Sequence, residues 1–256
     1  MTELDYRIVV PSRRRPFNMP RLLSLLPSAT VCVGEEEAEA YAKHVPRKQL
    51  LSHPPEVIGG PVVRNWIIDN VKEPILVMSD DDLEGVRVTT GSFRFITNPD
   101  DIQDIIENAM QCCSDLDLTT FCFARTPQTH ILDADVRPIR PTQQVFGLWG
   151  MMGRARHRRY DETLKSRADL DWTLRTLLED RIVYADIRFY FDFKASFSNA
   201  GGNSGLVNAD DFKKAAAILK KRWGKSVSFD PPGYVKQRET TTGSLRVKRQ
   251  TDKGQS

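Results

Sequence analysis

The stretch Ile75-Leu76-Val77-Met78-Ser79-Asp80-Asp81-Asp82-Leu83 decides the fold. An apolar run of this length reads as a buried strand. It ends in three consecutive carboxylates that no strand can hide without partners, so the acids must emerge at its carboxyl end. Open α/β sheets hold their ligands at that edge. Carboxylates crowded on one loop repel one another unless a cation neutralises them, and such oxygen ligands suit Mg²⁺ or Mn²⁺ bridging the phosphates of a substrate. An acid-rich turn after a strand is also a common surface feature, so the surrounding sequence has to decide.

Upstream, Arg7 to Val10 reads as a first buried strand running into Pro11-Ser12-Arg13-Arg14-Arg15-Pro16, with a helix over Met19 to Leu26. Forked guanidinium groups on a loop at a strand's carboxyl edge suit bidentate phosphate contact, although three arginines in a row also fit a solvated face. Ala29 to Gly34 reads as the second strand and Glu35 to His44 as its helix, whose first-turn acids favour the amino end. Pro54 to Pro61 is a punctuated loop, and Val62 to Val71 has helical spacing with Arg64 and Asn65 in its first turn. The order through residue 83 is therefore β-α-β-α-β. The expectation is an α/β fold with a mostly parallel central sheet flanked by helices and a small added antiparallel part.

Downstream, Val86 to Thr90 and Ser92 to Thr97 read as short strands, Asn98 caps a helix to about Cys113, and Leu118 to Arg125 is another buried strand. Residues 127–141 are irregular, and Gln144 to Met152 returns to apolar character. A basic cluster follows, with Arg154, Arg156, Arg158 and Arg159. Next, Ala168-Asp169-Leu170-Asp171-Trp172 opens a helix with an apolar stripe of Leu170, Leu174, Leu177 and Leu178. Acids in a first turn commonly serve the macrodipole, and two positions apart is about 200° of rotation, so at most one of Asp169 and Asp171 faces a given site. Ile182 to Phe193 reads as one or two strands. The loop at 198–205 lacks the Lys-Ser/Thr of a phosphate-binding Walker loop, and a helix over Asp210 to Trp223 carries Phe212, Ala216, Leu219 and Trp223 on its apolar face.

Length allows one large α/β domain or two small ones; the reading is one domain at residues 1–230, followed by a basic tail at 231–256. The formal net charge is only +3, yet residues 234–256 hold six Lys/Arg against two acids, including Arg246, Lys248 and Arg249. Such a segment is either solvated chain or a polyanion contact. Four cysteines without metal-ligand spacing read as small buried hydrophobes in a reducing compartment. No apolar stretch approaches the roughly 20 residues of a membrane span, and the amino terminus has no signal-like region. The expectation is a cytosolic protein with no membrane partner.

Together these features resemble a nucleotide-sugar-dependent glycosyltransferase of the GT-A (Rossmann-like) fold. The match is carried by Val9-Val10-Pro11-Ser12-Arg13, by Arg64-Asn65, by Ser79-Asp80-Asp81-Asp82 as an Asp-x-Asp motif, and by Asp169 to Asp171 as the later acidic motif. Within that fold the chain is most similar to the phage TET/JBP-associated glycosyltransferases, which decorate hydroxylated pyrimidines of phage DNA. The Pro-Ser-Arg-x-Arg-Pro start, the Trp223-Gly224 pair after the late helix and the basic tail carry this closer likeness. Two departures stand out: Ala168 replaces the Glu of the general pattern, and no histidine follows His157 to serve as a late metal ligand.

The resemblance implies a UDP-sugar donor and Mn²⁺ or Mg²⁺ held by Asp80 and Asp82. It implies donor contacts from Pro11, Ser12, Arg13, Arg15, Arg64, Asn65 and Asp81, and a general base at Asp169 with Asp171 as the alternative. The implied acceptor is a 5-hydroxymethylpyrimidine, 5-hydroxymethylcytosine above all, in DNA within the host cytoplasm. Arg154, Arg156, Arg158, Arg159, Arg246, Lys248 and Arg249 would then contact the DNA backbone, with Trp149 and Trp172 as stacking groups or core. Three other readings stay open: a glycan or protein acceptor, nucleotidyl transfer, and a nucleic-acid-binding accessory protein without catalysis.

Overall fold

Short apolar runs ending at Pro11, Gly34 and Ser79 become parallel strands at the centre of one sheet: β1 (Tyr6–Pro11), β2 (Thr30–Gly34) and, after β3 (Leu50–His53), β4 (Ile75–Ser79). The computed structural model describes residues 4–90, 94–127, 137–194, 202, 205–229 and the backbone of 243–245. The strands β3, β2, β1 and β4 lie side by side in that order, all parallel, connected through α1 (Met19–Leu25), α2 (Ala38–Tyr41) and α3 (Gly60–Asn70). Every residue of β2 and β4 is buried, as expected for strands covered on both faces. The strand β3 is absent from the sequence expectation. Its Leu-Leu-Ser-His is short and only His53 is buried, so it carries the weak pattern of an edge. The helix expected over Glu35 to His44 is shorter, a 3-10 turn over Glu35–Glu37 followed by α2.

The chain then leaves the sheet through a hairpin of β5 (Leu83–Val88) and β6 (Arg94–Ile96), and α4 (Pro99–Asp115) leads to β7 (Thr120–Phe123). Asn98 caps α4 by accepting the Asp100 N–H at 2.9 Å. After β8 (Ile139–Arg140), β9 (Leu148–Met151) inserts between β4 and β7 and runs antiparallel to both. Phe121 pairs with Gly150 across that ladder, and a Cβ at Gly150 would come within 2.0 Å of the Phe121 ring, so only glycine fits there. The remaining elements are α5 (Ala168–Glu179), β10 (Tyr184–Asp186), β11 (Phe189–Phe193), α6 (Ala209–Trp223) and β12 (Val227–Phe229), with β13 (Gly243–Leu245) antiparallel to β12. The main sheet has the order β3-β2-β1-β4-β9-β7-β10-β8, and β11, β5 and β6 form a separate antiparallel sheet. Ile182 to Phe193 thus supplies strands to two sheets. Of the expected basic tail only 243–245 are described, so Arg246, Lys248 and Arg249 lie outside the described residues.

Two apolar layers sandwich the main sheet. On one face α1, α4 and the small sheet bring Met19, Leu22, Ile102, Ile106 and Phe191; on the other α3, α5 and α6 bring Ile67, Trp172, Leu174 and Leu219. Burying each such large side chain stabilises the fold by about 1.5–3 kcal/mol. The α5 stripe is corrected at its end: Leu170, Leu174 and Leu177 are buried, whereas Leu178 is 59% exposed. On α6, Ala215 and Leu219 form the buried contact, displacing the expected Ala216. No helix among the described residues is long and apolar enough to cross a membrane.

Candidate active site

The three acids occupy the tight turn between β4 and β5, at the carboxyl edge of the parallel strands. They face a cleft of about 330 Å³ lined by the ends of β1, β2 and β3, the amino end of α3, Phe146, and Tyr190, Phe193 and Lys194 of the β11 region. The amino end of α3, an 11-residue helix, lies at its wall, where the positive end of the helix dipole favours an anion.

The acids have different partners. Asp81 is buried and fixed: Ser12 Oγ donates to it at 2.5 Å and Arg15 Nη1 at 2.9 Å. A carboxylate only accepts, so the Ser12 hydrogen points at Asp81. Tyr41 must therefore donate to Ser12 across 2.8 Å while accepting the Arg15 backbone N–H at 2.9 Å. This chain holds the Pro-Ser-Arg loop against the acidic turn. Asp80 accepts from Arg64 Nη2 at 3.2 Å, and Asp82 lies 3.6 Å from Arg15.

Asp80 keeps 38% of its side-chain surface open to the cleft, yet it sits deep enough for burial to push its pKa up to about 6, against the pull of Arg64 and with Asp81 and Asp169 adding repulsion. Burial, then Asp80 and Asp81, push Asp82 up to about 7. Two crowded oxygen donors that resist ionisation alone are chemically suited to a hard divalent cation, and Mg²⁺-type sites commonly draw one or two carboxylates from protein and the rest from phosphate and water. Among the described residues no group of three or more His, Cys, Asp or Glu is placed to hold a metal; Asp80 and Asp82 could supply two oxygen ligands.

Arg64 bridges this acid to the aromatic wall, its guanidinium lying 5.3 Å from the Trp149 ring centroid and 5.8 Å from that of Tyr160. Pro11, Ser12, Arg13 and Arg15 all line the cleft, and Gly202 packs on the loop: its N–H donates to Arg13 O at 2.8 Å. Asn65 does not join them. Its amide donates to Tyr160 O and Glu162 Oε1 and accepts from Tyr160 N–H, so it clasps residues 160–162 to α3 and both of its N–H donors are spent there.

The later acidic motif divides as helix geometry requires. Asp169 is half-buried, close enough to Asp80 to raise its pKa, and accepts from Gln144 Nε2 at 2.7 Å through Oδ2. Asp171 is fully buried and ties α5 to α6, accepting from Arg175 Nε at 3.0 Å, Arg222 Nη1 at 2.7 Å and Trp223 Nε1 at 2.8 Å. It cannot reach a substrate, which removes it as the alternative base.

The basic cluster is also corrected. Because β9 runs antiparallel to β4, with Leu148 beside Ser79 and Met151 beside Leu76, the residues after Met151 emerge at the edge away from the acids. Arg156 is buried and donates to the carbonyls of Ile68, Val71 and Glu73, closing the end of α3. Arg158 is buried against Thr176, Glu179 and Asp180; Arg154 pairs with Asp180 and Arg159 with Asp69. Trp149 and Trp172 are core residues, 2% and 0% exposed.

The sequence reading missed His53, Phe146, Tyr190 and Lys194 as cleft residues. For His53 the missing signal was β3 itself; the others arrive from distant segments with no local motif.

A sequence model described as TET-Associated Glycosyltransferase matches residues 6–202. No curated protein matches the sequence. Among solved structures, the fold is similar to residues 1–349 of S. aureus TarS in complex with UDP-GlcNAc, at TM-score 0.55 and 11% identity over 85% of this chain and 67% of that one. A mycobacterial protein is similar at TM-score 0.50 and 12% identity, over 94% and 83% of the two chains. This chain spans 66% of the chain in another structure of TarS residues 1–349 and 40% of the longer TarS chain. At such identities the likeness carries the fold, which is of the GT-A type.

Proposed function

Because the chain belongs to the TET-associated glycosyltransferase family, we propose that it transfers a sugar from a UDP-sugar to a hydroxyl group, the acceptor being the hydroxymethyl group of a pyrimidine, 5-hydroxymethylcytosine above all, in DNA. The observation that carries this reading is the convergence on one cleft of Asp80 and Asp82, whose proton affinities are raised, with Asp169 near enough to act on Asp80 electrostatically. Uridine as the donor nucleoside is supported by the UDP-GlcNAc complex of the similar TarS fragment.

Asp80 and Asp82 would hold Mn²⁺ or Mg²⁺ against the donor diphosphate, where such an ion supplies Lewis-acid stabilisation of the leaving group's charge. Arg13 and Arg64 line the same cleft and present guanidinium donors to phosphate oxygens, while the α3 amino end adds backbone dipoles. Asp81 keeps the Pro-Ser-Arg loop in place through Ser12 and Arg15 and stays out of the reaction. Asp169 takes the acceptor hydroxyl's proton as that oxygen bonds to the anomeric carbon and the bond from that carbon to the diphosphate oxygen breaks. Such a base is worth about 10²- to 10⁴-fold. Attack opposite the leaving group inverts the anomeric centre. A DNA base must leave the stack to enter the cleft, so single-stranded or mismatched sites should react fastest.

Incubation with UDP-glucose or UDP-N-acetylglucosamine, Mn²⁺ and oligonucleotides with or without 5-hydroxymethylcytosine tests this by mass spectrometry. A hexose or N-acetylhexosamine increment on the hydroxymethylated strand alone is expected. Transfer to a glycan or protein but not to that strand would overturn the acceptor, and release of pyrophosphate would overturn the reaction class.

A further inference from the structure

Gln144 makes a contact that the sequence did not suggest. Its side chain is buried, its Nε2 donates to Asp169 Oδ2 at 2.7 Å, and its Oε1 is buried with no hydrogen-bond partner. The opposite placement of the amide would set two oxygens against each other, so the nitrogen faces the carboxylate. A buried amide oxygen left without a partner costs about 1–3 kcal/mol, and the fold offers no local compensation for it beyond the one bond to Asp169. Polar groups kept at such a cost call for an explanation in function.

The backbone around Gln144 supplies one. Val145 N–H donates to Thr173 Oγ1 at 3.2 Å, and Thr173 Oγ1 donates to Asp169 O at 2.7 Å, so the same turn of α5 is gripped a second time. Two residues on, Gly147 O accepts the Asp80 N–H at 2.9 Å. Gly147 has φ +67°, and a Cβ there would come within 2.2 Å of the Phe193 ring, which pins the segment in place. Residues 144–147 therefore touch the later acid with one end and the first acid of the turn with the other.

We propose that Gln144 is a positioning residue for the carboxylate that accepts the substrate's proton, and that residues 144–147 act as a spacer setting the distance between Asp169 and Asp80. The proposal rests on reading Asp169 as the base. By occupying Oδ2, Gln144 stops the carboxylate rotating and leaves Oδ1 for the acceptor. It touches no substrate itself. Misplacement of a reacting group by about 1 Å can cost on the order of 10²-fold.

The test is a double-mutant cycle on the full chain with Gln144→Leu, Asp169→Asn and the pair, reading UDP release from UDP-glucose with Mn²⁺, with and without a 5-hydroxymethylcytosine oligonucleotide, alongside UDP affinity and thermal melting. Gln144→Leu conserves volume and removes the orphan oxygen, so melting should hold or rise while kcat falls about 10- to 100-fold at unchanged UDP affinity. In the Asp169→Asn background the same substitution should change nothing further, because its effect passes through Asp169. Wild-type kcat in Gln144→Leu, or a loss that multiplies with that of Asp169→Asn, overturns the positioning role while leaving the base in place. Full turnover in Asp169→Asn removes the base and the proposal with it.

Discussion

Ser12 and Asp81, 69 residues apart, share a 2.5 Å hydrogen bond that joins the first strand's loop to the middle acid of the turn. That bond and the 2.9 Å contact from Arg15 separate Asp81 from its neighbours on either side. Asp81→Ala should lower stability by about 1–3 kcal/mol, since buried donors lose their acceptor. Asp80→Asn and Asp82→Asn should leave melting unchanged or raised, because each removes a carboxylate that burial makes costly to ionise. Their turnover should nearly vanish. Thermal melting beside a transfer assay separates the two behaviours.

The same two acids set a pH dependence. Their folded-state pKa values, about 6 and about 7, lie above the ordinary 3.8, so between these limits the folded chain binds more protons than the unfolded one. Their contribution to stability is therefore complete below about pH 4 and is lost as pH rises through 6 and 7. A divalent cation displaces those protons, so stabilisation by Mn²⁺ should grow across the same window. Melting scans at about pH 5.5 and about pH 7.5, with and without Mn²⁺, check this against Asp80→Asn/Asp82→Asn, in which the Mn²⁺ effect should disappear. An equal Mn²⁺ shift at both pH values in the wild type would count against these ligands.

Asp169 and Asp171 should part company. Removing a buried ion-pair partner costs about 3–5 kcal/mol, which for a chain of this size is roughly 2–4 °C of melting temperature per kcal/mol. Asp171→Ala leaves Arg175, Arg222 and Trp223 without their shared acceptor, so it should melt early yet turn over normally in the fraction that remains folded. Asp169→Asn should melt like the wild type and lose about 10²- to 10⁴-fold in kcat. Circular dichroism melts and kcat per folded molecule make the comparison. Equal losses of kcat in both would place the two acids in one role.

The sequence disclosed what local pattern controls and hid what topology controls. A continuous apolar run ending in Asp80-Asp81-Asp82 can do little except leave a sheet at its carboxyl edge, and the acids are there. The position of β9 is different: Leu148 to Met151 looks apolar in either direction, and only the antiparallel pairing with β4 sends the following arginines to the far edge. Charge type alone could not tell Arg156, spent on three backbone carbonyls, from a solvated arginine. Asn65 lay in the expected helix and in the expected motif, yet its partners come from residues 160–162, a pairing no spacing encodes. Asp169 and Asp171 were equivalent as letters; the turn of α5 made one face Gln144 and the other the core.

The far-edge arginines yield the last prediction. Arg154 and Arg159 pair with Asp180 and Asp69; the Arg159–Asp69 pair is exposed at both ends and worth about 0–1 kcal/mol, and Asp180, though buried, keeps Arg158 when Arg154 is lost. Arg154→Gln with Arg159→Gln should therefore leave both melting and the salt dependence of DNA binding nearly unchanged, because deleting an arginine that does neutralise a phosphate would lower the slope of log K against log salt by about one unit. Arg158→Ala should do the opposite to stability, since Asp180, with only 3% of its side chain exposed, would keep Arg154 alone of its two arginine partners. Binding isotherms of a single-stranded oligonucleotide at several salt concentrations measure the slope. A drop of about two units in the Arg154/Arg159 double variant would return that edge to the nucleic-acid interface, and an unchanged slope would leave the acceptor strand to the carboxyl edge that holds Asp80 and Asp82.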